Sequence, residues 1–99
     1  MVIIGQMSYP PESSKEMAKR FLELPEIPEF LNRKGPYVGA NLSDGVSIVV
    51  VYELDNSKLS DGMDFIANFY TNFFGVPGFK YQITPHFEVA EALKMLGMG

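Results

Sequence analysis

Apolar residues change their spacing from segment to segment along this chain, and each spacing predicts an element. Val2 to Tyr9 opens with a β-branched run and closes on Pro10-Pro11, which predicts a strand with a hard stop. After Glu12, the residues Met17, Phe21 and Leu24 recur at helical spacing, with Ala18 and Leu22 beside them. That is one apolar stripe on an otherwise charged helix. Ser13 and Glu16 have capping-box spacing, while the double proline offers an earlier start. Pro25 and Pro28 bar a single long helix, so residues 25–36 are expected to form a short helical turn or tight loop that buries Ile27, Phe30 and Leu31. Such a segment serves as a plain connector or as a lid over a site.

Two strands, Tyr37 to Leu42 and Val46 to Leu54, flank the loop Ser43-Asp44-Gly45. A glycine at the third loop position suits a type I turn followed by a left-handed residue. Setting Leu42 opposite Val46 gathers Val38, Ala40 and Leu42 with Val46, Ile48, Val50 and Tyr52 on one face. The other face then carries Tyr37, Gly39 and Asn41 with Ser47, Val49, Val51 and Glu53. A one-residue slip would mix the two sets. Asp55, Asn56 and Ser57 are capping candidates for a long helix that runs to Gly75. Its stripe is Leu59, Met63, Ile66, Tyr70 and Phe73, widened by Phe65, Phe69 and Phe74. In the last strand, Phe79 to Thr84, apolar Phe79, Tyr81 and Ile83 alternate with Lys80, Gln82 and Thr84. Beyond Pro85, the residues Val89, Ala92, Leu93 and Leu96 make a final amphipathic helix stopped by Gly97.

The order βαββαβ plus one helix predicts a single α+β domain over residues 1–99. The expected architecture is a ferredoxin-like sandwich, a four-stranded antiparallel sheet with both crossover helices on one face. The opposite face then carries Val2, Ile4, Gln6, Tyr37, Asn41, Ser47, Val49, Val51, Glu53, Lys80, Gln82 and Thr84, and also His86 if the strand runs on past Pro85 instead of ending at Thr84. It is too apolar to be left in water and too polar for an ordinary core. With this layout, and with the stretches GPYVGANLSDG, VYEL and GVPGF, the chain resembles the dimeric α/β-barrel superfamily from Val2 to Gly97. The resemblance implies that two copies pack sheet to sheet into a barrel, so a homodimer is expected. The superfamily includes small monooxygenases, isomerases, decarboxylases, dehydratases, stress-response proteins and ligand-sensing modules, and no diagnostic catalytic motif of any of them is identified here.

Composition narrows the chemistry. A net charge of -4 removes the concentrated positive surface that nucleic-acid binding needs. With no cysteine, thiol nucleophiles, disulfides and zinc-thiolate sites are excluded, and one histidine excludes a multi-histidine metal site within a subunit. The stretch DNSKLSDG departs from a calcium loop at the third and fifth positions and lacks the closing glutamate. No cofactor or metal is expected. No stretch approaches membrane-spanning length and the N-terminus has no signal-peptide pattern, so a soluble cytoplasmic location is the expectation.

His86 is the only side chain whose ordinary pKa lies near neutrality, which makes it the candidate acid-base group; the alternative is a solvated or capping residue. Tyr37, Asn41, Gln6, Gln82, Thr84 and Glu53 are the candidate ligand contacts on the polar sheet face. Equally, the amides belong to a dimer seam and Glu53 pairs with Lys80. Tyr52 and Tyr81 read as core. The aromatic helix offers a further possibility, an apolar pocket between helix and sheet. Two functions follow: small-molecule binding with or without cofactor-independent catalysis, and a structural or regulatory dimerisation module.

Overall fold

The computed structural model describes all 99 residues. In chain order it contains β1 (Val2–Tyr9), α1 (Ser14–Leu22), β2 (Asn32–Asn41), β3 (Gly45–Glu53), α2 (Leu59–Tyr70), β4 (Lys80–His86) and α3 (Val89–Met95). Short 3-10 turns at Pro11–Ser13, Asn56–Lys58 and Thr71–Phe73 extend the first two helices. The sheet has the order β2-β3-β1-β4 and is antiparallel throughout. This α+β arrangement is compatible with the ferredoxin-like order.

Alternation along the central strands decides where the core lies. Ile3, Met7 and Tyr9 of β1 and Val50 and Tyr52 of β3 point to the helix side, where they meet Met17, Ile66, Phe69, Tyr70 and Phe73. Only 15 of the 99 residues are buried, and the molecule is a slab of 48 × 30 × 18 Å. One sheet and one helix layer therefore leave the second sheet face uncovered.

The hairpin between β2 and β3 keeps the expected faces but not the expected pairs. Asn41 pairs with Gly45 and Ala40 with Val46, so Leu42 sits in the loop, fully exposed, instead of opposite Val46. The shift is two residues, which leaves every side chain on its predicted side. Gly45 has φ +81°, the left-handed geometry for which the turn selects glycine.

Residues 25–36 hold the main departure. They are not wholly a turn: β2 begins at Asn32 and pairs with the far end of β3 before an irregularity between Lys34 and Tyr37 that contains the cis Gly35-Pro36 bond. The extra residues reset the alternation. As a result Arg33, opposite Tyr52, and Val38, opposite Ile48, share the helix face although five positions separate them. In an unbroken strand they would lie on opposite faces.

Other elements differ at their ends. The Ser13 side chain does not cap α1; its hydroxyl donates to the Pro77 carbonyl at 2.7 Å, and Pro11 opens the helical segment. Asp55 does cap, accepting from the Ser57 N–H at 2.9 Å. β4 continues through Pro85 to His86. The strand lies at the sheet edge, where a proline need not break a ladder bond. Tyr81 is on the helix side as expected but is half exposed, because β4 has no neighbour beyond it; its ring stacks on Phe79 at 5.5 Å. α3 forms and stops at Gly97, yet its apolar residues stay exposed: Val89 at 75% and Leu96 at 73%.

Candidate ligand-binding cleft

The seven residues expected to form a site all lie on the open sheet face, in successive rows across the strands. One row runs Tyr37, Val49, Gln6, Gln82; the next holds Lys34, Val51, Ile4 and Thr84; the next holds Asn32, Glu53, Val2 and His86. Glu53 and His86 are therefore two strand spacings apart, about 10 Å, too far for a hydrogen-bonded acid-base pair. Glu53 pairs with Lys34 rather than Lys80, because the early start of β2 brings Lys34 beside it. Gln82 donates to the Thr84 hydroxyl at 3.1 Å. His86 is exposed, and its Nδ1 lies 2.9 Å from the Thr84 carbonyl. A carbonyl only accepts, so this contact places a proton on Nδ1. Gln6, Asn41 and Gln82 share a shallow, open depression with Lys80 and Asp44; Tyr37, Thr84, Glu53 and His86 lie outside it.

A more enclosed site lies on the other side of the sheet. Between α1, α2 and strands β2, β3 and β1 is a cleft of about 280 Å³. Its floor is made by Met7, Val50, Tyr52 and Tyr70, and its mouth by Phe21, Leu22 and Val38. The cleft exists because α1 docks through one residue only. Met17 is buried, whereas Phe21 is 39% exposed and Leu22 83% exposed. The stripe predicted for α1 is present, but the sheet does not rise to meet its second half. Val38, across the gap on β2, is 67% exposed.

Polar groups are few. Arg33 is the only charged residue among the sixteen that line the cleft, and no aspartate, glutamate or histidine reaches it. Three phenols line it, Tyr9, Tyr52 and Tyr70, and the last two stand on the floor. The Tyr70 hydroxyl is buried over Gly5 and has no hydrogen-bond partner. Burial holds this phenol far above the ordinary tyrosine range, and the adjacent Tyr52 adds to the effect. Burial also raises Tyr52, while the Arg33 charge pulls the other way. Both phenols stay neutral across the physiological range, and proton transfer at neutral pH has no obvious agent inside the cleft. His86 is on the opposite sheet face, screened from the cleft by the backbone of the sheet.

The residues missed by sequence reasoning are those of the early part of β2, above all Arg33 and Pro36. The available signal was the pair Arg33-Lys34 before Gly35-Pro36. A glycine-proline interruption in a strand marks a bulge, and the reset of alternation exchanges the faces of both charges, so that Arg33 goes to the helix side and Lys34 to the open side.

No groups that could hold a metal ion are clustered in the chain, and no helix is long and apolar enough to cross a membrane. No family model matches the chain, and neither a curated protein nor a solved structure is measurably similar to it.

Proposed function

We propose that this protein binds a small, largely apolar organic molecule in the cleft between its helices and its sheet. One observation carries the reading: an indentation of about 280 Å³ is lined by fourteen hydrophobic residues, and large apolar side chains stand exposed at its mouth. Ligand pockets are concave and apolar in this way, and this one falls just below their usual size of roughly 300–1,000 Å³. The lining favours binding over proton-transfer catalysis, since it offers neutral phenols and no imidazole or carboxylate. A neutral fluorescent probe, N-phenyl-1-naphthylamine, is expected to bind with micromolar affinity and to be excluded by Ala18→Phe, which fills the cleft from the exposed side of α1. Unchanged binding to a folded Ala18→Phe protein would refute the reading.

The open sheet face supports a second part of the proposal. Val2, Ile4, Val49 and Val51 are only half-buried there, and nothing in one chain covers them. A second copy packed sheet to sheet covers this face and makes the molecule a homodimer of the dimeric α/β-barrel kind. Gln6, Tyr37, Gln82 and His86 then line the interior seam, where an enclosed imidazole has a role that it lacks in water. In that assembly each subunit keeps its own cleft, because the clefts are on the outer, helical side.

A further inference from the structure

We infer that the cleft selects an amphiphile with an anionic head, a medium-chain carboxylate, with Arg33 as the residue that holds the charge. This rests on the cleft being the binding site. Arg33 has no ion-pair partner; three basic side chains, Arg20, Lys34 and Lys58, do, facing Glu16, Glu53 and Asp61, and of those without one only Arg33 lines the cleft. Arg20 shows what a structurally engaged arginine looks like in this protein: it meets the Glu16 carboxylate at 2.9 Å and the Asn72 carbonyl at 3.2 Å. Arg33 has no such bonds, although the strand irregularity turns it to the helix face, where both the cleft and an adjoining depression include it. Glu26 lines that depression but takes part in none of the chain's four ion pairs.

The placement has a physical consequence. Arg33 is solvent-exposed at the rim of an apolar cleft, so its guanidinium is free to meet a ligand's head group, and its fixed fork suits a carboxylate's two oxygens. An unpaired cation at the mouth and hydrocarbon below it match a ligand with the reverse polarity: head outward, tail inward. The volume suits a chain of medium length rather than a full diacyl lipid. Free carboxylates and anionic lipid headgroups share the head-group chemistry, but a cleft of about 280 Å³ takes one medium-length tail and not two acyl chains.

The test displaces N-phenyl-1-naphthylamine with decanoate, decanol and methyl decanoate, on the wild-type protein and on Arg33→Gln. Decanoate is expected to compete at least tenfold better than decanol or the ester on the wild type. On Arg33→Gln the decanoate-to-decanol preference, taken as a ratio within that variant so that any change in its probe affinity cancels, should shrink to about twofold or less, and Arg33→Lys should restore it in part. Equal competition by decanoate and decanol on the wild type overturns the inference and leaves the cleft reading intact. So does a preference that survives in Arg33→Gln. Failure of the neutral probe itself to bind defeats the cleft reading and this inference together.

Discussion

Tyr70 is as deeply buried beneath the cleft as Tyr52 and Phe73, and its hydroxyl is the one buried side-chain polar atom left without a partner. Its position depends on Gly5 in the middle of β1. A Cβ at residue 5 would lie 2.0 Å from the Tyr70 hydroxyl oxygen and 2.9 Å from the ring carbon that bears it. Gly5→Ala is therefore expected to destabilise the fold by about 1–3 kcal/mol, through overpacking of a central strand that cannot retreat. Tyr70→Phe should be neutral or stabilising by up to about 1 kcal/mol, because it removes a buried hydroxyl that has nothing to bond. Combining the two should recover part of the Gly5→Ala loss, since the closer of the two clashing atoms is gone. Urea titration of the four proteins measures all three terms, and strict additivity would show that the two residues do not touch.

Among the elements, α3 is held differently from the rest. Its apolar side chains are exposed, and its attachment is polar: the Glu91 carboxylate meets the Met1 ammonium at 2.8 Å, the Glu88 N–H at 3.0 Å and the Asn56 amide at 3.0 Å. The ammonium, followed by the Glu88 N–H and the Asn56 amide, lowers the Glu91 pKa from 4.5 to about 2. A carboxyl more acidic in the folded state than in the unfolded one stabilises fully above pH 4.5 and loses that contribution as the pH falls toward 2. The α3 amides should accordingly lose hydrogen-exchange protection in acid before those of β1 and β3. Glu91→Gln should show the same early loss already at pH 7. Equal protection in both proteins would mean that α3 is held by something other than this carboxylate.

Element types and faces were legible because period-two and period-3.6 spacing in Val2–Tyr9, Val46–Glu53 and the aromatic helix report directly on burial. What was hidden follows from two causes. The irregularity between Lys34 and Tyr37 breaks the parity on which strand reading depends, so Arg33 and the first half of β2 could not be assigned a face. The α1 stripe, in turn, promised a covered helix, but whether the facing surface reaches it depends on tertiary spacing that no local pattern encodes. The cleft exists only as that mismatch.

At the scale of the whole molecule, a thin slab with 15 buried residues has little core for 99 residues, and its radius of gyration, 15.1 Å, exceeds the roughly 13 Å usual at this length. A homodimer at micromolar concentration is the expected state in light scattering. Val49 is at the middle of the open face and is only half-buried in a single chain. Val49→Lys should therefore give a folded monomer near 11.1 kDa rather than an unfolded chain, since the ammonium reaches water once the partner is gone. A Val49→Lys protein that remains dimeric would place the contact elsewhere. A wild-type monomer would remove the sheet-to-sheet assembly altogether.

The strand order has one more consequence, for what the sheet refuses to join. β2 and β4 are its two rims, and each contains a proline, Pro36 and Pro85. Pairing of β4 with β1 carries on past Pro85 to the Val2–His86 pair, so the absent N–H belongs on the outer rim. On the far rim the Gly35-Pro36 irregularity bends β2 out of line midway along its length. A stray strand that tried to add itself to either rim would find a donor missing or a ladder out of step, the devices that keep exposed sheet edges from templating fibrils. Growth by edge addition is thus obstructed on both sides, and the assembly proposed above, through the open face, is of the kind that closes on itself with one partner to each copy instead of running on.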